Sequence, residues 1–140
     1  MSVQETILIA QQWIEYAWNR GNVSLIDEMH SENYVHHDLC SEPPGEKDIN
    51  YIKQWITDLR RAIPDIYVTV DDFVTEANNI AVRWTSRGTH RRELFGFAAT
   101  EKKIIWHGIS ILIIEKKKIS DTWILDNLHY LLSQLREGSG

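Results

Sequence analysis

The sequence predicts an α+β fold, with helices packed on one face of a curved, mostly antiparallel sheet. Three observations carry that expectation. Apolar residues recur at helical spacing over most of the first 63 residues. From Asp65 onward the apolar period becomes two, the period of a half-buried strand. No repeat and no linker divides the 140 residues, a length that suits one core. Residues 1–137 are therefore expected to form one domain, and Gly138-Ser139-Gly140 to form a disordered tail or an appended scar.

The elements follow in order. Ile7, Ala10, Ile14, Ala17 and Trp18 predict a helix over residues 3–19, and Ile9, Trp13 and Tyr16 widen its apolar face so that more than one side is covered. Gly21-Asn22 stops it, because glycine tolerates the left-handed conformation at a helix end. Ser24 is placed to cap a short helix over 25–29. An extended segment, Asn33 to Asp38, leads into an irregular stretch over 39–47 that contains Pro43-Pro44-Gly45. A third helix is expected over about residues 46–62, with Ile49, Ile52, Ile56, Leu59 and Ile63 buried and Trp55 beside them. Arg60 and Arg61 suit the negative end of its dipole, and Pro64 terminates it. Strands then follow over 66–75 and 80–90, joined at Asn78-Asn79. After a loop over 94–101 come two long strands between Ile104 and Asp126, with Glu115 to Lys118 as their turn. A closing helix covers residues 127–136.

Composition excludes several function classes. A formal net charge of −5 lacks the basic surface that nucleic-acid binding needs. No apolar run is long enough to span a membrane, and the first ten residues lack the basic region of a secretory signal. One cysteine, Cys40, leaves no intrachain disulfide and fits a cytoplasmic setting. Glycine-rich nucleotide loops, HExxH and CxxC are all absent, so neither a cofactor nor a metal is expected. The triplet Lys116-Lys117-Lys118 reads as a solvated turn.

What remains is a set of His and Asp residues among Trp and aliphatic side chains. His107 shares a strand face with Ile105, Ile109 and Ile111. A histidine there can trade protons near neutral pH, or it can be a hydrogen-bonded core residue or an exposed one. Asp126 ends the last strand beside Ile124. In an apolar pocket its carboxylate is a competent general base; just before a helix it is equally a favoured cap. In His36-His37-Asp38 the two imidazoles point to opposite faces, which argues against a shared metal ion. His90 has the parity to face inward with Trp84. Trp13, Trp18, Trp55 and Trp84 are core aromatics that can double as pocket walls.

The order of several short stretches resembles the SnoaL-like polyketide cyclases of the NTF2-like superfamily. The stretches are Trp18-Asn19-Arg20-Gly21-Asn22, Ile26-Asp27-Glu28, Tyr34-Val35-His36-His37-Asp38 and Ala62-Ile63-Pro64-Asp65. They continue with Val82-Arg83-Trp84-Thr85, Gly88-Thr89-His90 and Ser120-Asp121-Thr122-Trp123, closing at Asp126. The resemblance runs from about residue 8 to 135. It implies a cone-shaped α+β barrel around a pocket and cofactor-free intramolecular aldol cyclisation or isomerisation of a polyketide-like molecule. It also implies that Asp126 acts as general base with His107 as its polar partner. Trp18, Trp55, Trp84, His37, His90 and Phe97 are then the expected substrate contacts. Two departures bear on the substrate. Ala98-Ala99-Thr100-Glu101 replaces the family's Pro-Pro-Thr-Gly turn, and Leu128-His129-Tyr130 replaces a Leu-Gly-Leu. Two other readings stay open: an epoxide hydrolase or dehydratase of the same superfamily, and a non-catalytic ligand-binding or dimerisation module. A homo-oligomer, dimer or tetramer, is expected because three helices do not cover a sheet so rich in Trp and Ile.

Overall fold

A computed structural model describes residues 2–40 and 45–138. The helices come first. Helix α1 (Val3–Gln12) opens on a reciprocal cap, in which Glu5 N–H donates to Ser2 Oγ at 3.1 Å and Ser2 N–H donates to Glu5 Oε1 at 3.2 Å. The expected helix over 3–19 changes character midway: Trp13–Asn19 is π-helical, with Arg20 N–H reaching back five residues to Glu15 O at 3.0 Å. Such wide turns occur often at functional sites. Here the segment carries two of the aromatic residues that face the interior, Trp13 and Trp18. Its end is fastened twice. Arg60 Nη1 donates to Trp18 O at 2.5 Å and to Asn19 O at 3.0 Å. The Asn19 amide pairs with the Val68 backbone like one more strand residue, at 2.7 and 3.0 Å.

Helix α2 (Ser24–Met29) starts one residue earlier than expected, and Ser24 Oγ donates to Asn22 Oδ1 at 2.7 Å rather than capping the helix. Strand β1 (His30–Asp38) is longer than the extended segment expected there. Pro43 and Pro44 of the expected irregular stretch lie outside the described residues. Its end, Gly45–Lys47, is a short strand β2 and not loop. Helix α3 therefore begins later, at Ile49–Ala62, capped by Asp48, whose carboxylate accepts Tyr51 N–H at 3.2 Å. It buries Ile52, Ile56 and Leu59 as its spacing predicts, and Ala62 besides; Ile63, just past its end, is buried too, whereas Ile49 is only partly so.

Strands β3 (Tyr67–Glu76), β4 (Asn79–Thr89), β5 (Lys103–Glu115) and β6 (Lys118–Asp126) follow, and helix α4 (Leu128–Gly138) closes the chain. Ser139 and Gly140 of the expected tail lie outside the described residues. The six strands form one sheet in the order β2-β1-β6-β5-β4-β3. Among the described strands only β1 and β6 run parallel. The β5–β6 turn places Lys116 and Lys117 at φ 51° and 65°, the left-handed pair that a two-residue hairpin requires.

Alternation along the strands separates two faces. Ile104, Trp106, Leu112 and Ile114 of β5 are buried beneath the helices, whereas His107, Ile109 and Ile111 are exposed on the other face. Gly108 points inward opposite Trp84. A Cβ on Gly108 would lie 2.3 Å from Trp84 Cζ2, so the missing side chain makes room for the indole. Gly108→Ala is expected to cost about 1–3 kcal/mol through overpacking. An unchanged urea midpoint would show that Trp84 moves aside freely.

Candidate active site

Between the concave sheet face and the helices lies a cavity of about 280 Å³. Its wall is largely aromatic and aliphatic. Trp13 and Trp18 come from the π-helical segment, Trp55 from α3, Trp84 from β4 and Trp106 from β5. Phe95 joins them, its ring stacked 5.6 Å from that of Trp55. Such a surface favours flat, apolar ligands.

The polar groups concentrate on one side, where β1 and β6 lie next to each other. In the parallel register His36 sits beside Thr122 and Asp38 beside Ile124. Tyr34, His36 and Asp38 therefore face inward from β1, and Thr122, Ile124 and Asp126 from β6. Tyr34 Oη lies 3.2 Å from His36 Nδ1. Tyr51 Oη, from α3, donates to Asp38 Oδ2 at 3.1 Å. Cys40 Sγ donates to Asp126 Oδ1 at 3.2 Å.

Burial sets the charge states. It raises the Asp126 carboxyl above its ordinary range; the Cys40 thiol opposes the shift, the nearby charge of Asp38 adds to it, and the Leu128 N–H opposes it. Burial also drives His36 down from 6.5 to about 4, with Asp38 pulling the other way and His37 and His30 adding to the fall. His36 is thus a neutral imidazole at neutral pH. Tyr51 is pushed up to about 12 and Cys40 to about 11, chiefly by burial, and Tyr34 is raised as well. One partly buried carboxylate with a raised pKa accordingly shares a cavity wall with a row of neutral hydrogen-bonding side chains.

Asp126, Trp18, Trp55 and Trp84 all line this space. Asp126 also accepts the Leu128 N–H at the start of α4, so its position between pocket and helix cap is occupied in both senses. His107 does not share the pocket. Alternation groups it with Ile109 and Ile111 as expected, but that face is the outer one. Both faces of β5 are apolar, so alternation identifies companions without telling inside from outside. His107 Nδ1 lies 3.0 Å from Thr85 Oγ1, and Thr85 donates onward to Asp71. Its backbone, though, accepts Asn127 N–H at 2.9 Å and donates to Asn127 Oδ1 at 2.7 Å, fixing the residue after Asp126.

Of the two adjacent histidines, His37 is the outward one. Its ring stacks on Trp123 at 3.7 Å, and its Nε2 meets Asp121 Oδ2 at 3.0 Å. His90 is wholly buried away from the cavity, with Nδ1 3.0 Å from Thr100 Oγ1, where it anchors the loop over 91–101. Phe97 packs against the core and pairs with Leu94 through its backbone; Phe95, two residues earlier, reaches the cavity instead. His36, Tyr34, Asp38, Tyr51 and Cys40 are not among the site residues expected from the sequence, where His36 and Asp38 are weighed only as metal ligands. The parity of 34, 36 and 38 was the available signal, because it sets an acid, a phenol and one histidine on one face.

The family model described as SnoaL-like polyketide cyclase matches residues 8–135. No curated protein sequence matches the chain. Among solved structures, AclR, a candidate hydroxylase from Streptomyces galilaeus, is 25% identical, with a TM-score of 0.87 and coverage of 97% of this chain and 98% of that one. A candidate polyketide cyclase from Bacillus cereus is also 25% identical, with a TM-score of 0.79 and coverage of 97% and 85%. IdmH, a candidate polyketide cyclase from Streptomyces antibioticus, is 23% identical, with a TM-score of 0.81 and coverage of 94% and 98%. Among the described residues no helix is long and apolar enough to cross a membrane.

Proposed function

We propose, since the chain belongs to the SnoaL-like polyketide cyclase family, that it is a cofactor-independent acid–base enzyme. It closes or isomerises a polyketide-like, largely apolar small molecule, with Asp126 as general base and His36 as neutral hydrogen-bond donor. The observation that carries this reading is the Asp126 carboxylate, held above its ordinary pKa in an aromatic cavity.

The chemistry follows from the groups present. A proton on carbon between two carbonyls is acidic enough for a carboxylate base, and the enolate spreads its charge over oxygen. Asp126 takes that proton. With the Tyr34 hydroxyl donating to His36 Nδ1, the neutral imidazole carries its proton on Nε2 and offers it to the enolate oxygen. His36 fills the role expected of His107, whose side chain leaves from the opposite face. The enolate carbon attacks a carbonyl further along the folded chain, and the protonated Asp126 returns its proton to the product. The aromatic walls hold the chain folded, and orientation of this kind supplies up to roughly 7–11 kcal/mol of a barrier.

A direct test uses proton–deuterium exchange of a β-keto ester probe in D₂O, followed by NMR. The wild type is expected to accelerate exchange, and Asp126→Asn to remove the acceleration. Equal rates in the two would reduce the cavity to a ligand-binding pocket. A second reading has its own support: Asp38 and Asp126 both line the cavity, and two carboxylates suit a base and an acid for water-dependent opening of an epoxide.

The outer sheet face supports a homo-oligomer. Ile109 lies beside Leu125 and Ile111 beside Trp123, and all four are exposed. Two copies joined through this face would cover them. Ile109→Glu is then expected to give a folded monomer by light scattering, and a wild-type monomer would refute the assembly. The free thiol of Cys40 agrees with a cytoplasmic setting.

A further inference from the structure

We propose that Cys40 is the positioning residue of this site, holding one carboxylate oxygen of Asp126 in the cavity wall beside Asp38; the proposal rests on the reading of Asp126 as the base. Cys40 lies just beyond β1, on a segment that keeps following β6. Leu39 N–H donates to Ile124 O at 3.1 Å, and Cys40 N–H donates to Asp38 Oδ1 at 2.8 Å. These two bonds fix the backbone from which the thiol projects.

The thiol and Asp126 then engage each other in both directions. Sγ–H donates to Asp126 Oδ1 at 3.2 Å, and Asp126 N–H donates to Sγ at 3.3 Å. The residues are 86 positions apart in the chain, so neither bond is a by-product of local geometry. A competing donor pulls on the same carboxylate: the Leu128 N–H, at the first turn of α4. Without the thiol, Asp126 keeps its helix-capping partner and loses the partner on the cavity side. A neutral thiol donating to a carboxylate is a charge-assisted bond, and it favours the ionised acid over the protonated one. The other groups facing Asp126 are Asp38 from β1 and Tyr51 from α3, and these two are joined to each other through Tyr51 Oη. Cys40 thus touches both carboxylates, one through its backbone and one through its side chain.

Carboxyl NMR titration of Asp126 in the wild type, Cys40→Ala and Cys40→Ser tests the proposal. The Ala variant is expected to raise the Asp126 midpoint by about half a unit or more. The acidic limb of turnover should move up with it, and Ser, which keeps a donor, should restore both. An unmoved midpoint in Ala overturns the proposal. A shift in Ser equal to that in Ala also overturns it, because packing and not the hydrogen bond would then be the cause. Should the Ala variant fail to fold, the reciprocal measurement decides. Cys40 is the only cysteine, so its ionisation is read from the pH dependence of its alkylation by iodoacetamide, followed by mass spectrometry. Asp126→Asn is expected to lower the thiol midpoint from about 11, and an unchanged midpoint refutes the contact. Full turnover by Asp126→Asn would instead sink the base assignment, leaving the titrations to decide whether Cys40 holds Asp126.

Discussion

Asp126→Asn keeps the fold, gains stability at neutral pH and loses turnover by about 10²- to 10⁴-fold, the usual worth of a positioned base. The gain in stability is what separates this expectation from a capping role. Burial raises the Asp126 pKa in the folded state, so the folded protein binds its proton more tightly than the unfolded chain does. That contribution favours folding at pH below the unfolded value and fades as pH rises through the folded one. At pH 7 the charged carboxylate is therefore a liability, which the neutral amide removes. Asparagine caps a helix about as well as aspartate, so the start of α4 is preserved. Urea unfolding at pH 7 and turnover of one preparation provide both readouts. An unchanged midpoint with retained turnover would make Asp126 a cap and nothing more.

Acid unfolding is steep between pH 6.5 and about 4, and two buried histidines cause it. His30 and His36 are both pushed from 6.5 down to about 4, mainly by burial. The unfolded chain protonates each near 6.5, whereas the folded protein does not do so until about pH 4. Over that window the unfolded state binds more protons and stability falls; above 6.5 it is fully present, and below 4 these groups take nothing more. Each shift corresponds to about 3 kcal/mol, so together they remove up to about 6 kcal/mol, a large part of the stability of an ordinary domain. His30 isolates the effect because it lies away from the cavity wall. Its Nδ1 meets Ile26 O at 2.6 Å, its Nε2 is buried without a partner, and its ring packs edge-on against Trp13 and Tyr34. His30→Phe fits the same aromatic setting with nothing to protonate. The variant is expected to lose about 1 kcal/mol at pH 7 with the Ile26 contact and to show roughly half the wild-type dependence between pH 6.5 and 4. The same slope in both proteins would place the acid sensitivity elsewhere.

The fold was largely legible because its signals are local. The apolar spacing of α3 and the alternation of β4 through β6 each state a period, and a period is enough to name an element. Asp126 was legible in part: a carboxylate at a strand end beside Ile124 left pocket wall and helix cap both open, and it occupies both places. His36 was not legible. Choosing between His36 and His37 needs the direction of the cavity, and that is set by β6 pairing with β1 across more than eighty residues. His107 misled by the same route: its companions were right, but the side of the sheet was not. The π-helical segment was hidden as well. It shares its apolar residues with an ordinary helix, and only its hydrogen bonds reveal the wider turn.

The parallel contact between β1 and β6 also governs when the site comes into being. Asp38, Tyr34 and His36 are carried by the first long strand, and Asp126 by the last. While the chain emerges from the ribosome, the aromatic half of the cavity can gather early from the π-helical segment, α3 and β4. The polar half must wait until β6 is complete, because its two contributing strands form some of the longest loop closures in the molecule. A chain cut short before β6 lacks the strand that joins β1 to β5, and with it the polar wall. Folding is thereby coupled to assembly of the wall: no partially made copy of this protein holds Asp126 against Tyr34, His36 and Asp38.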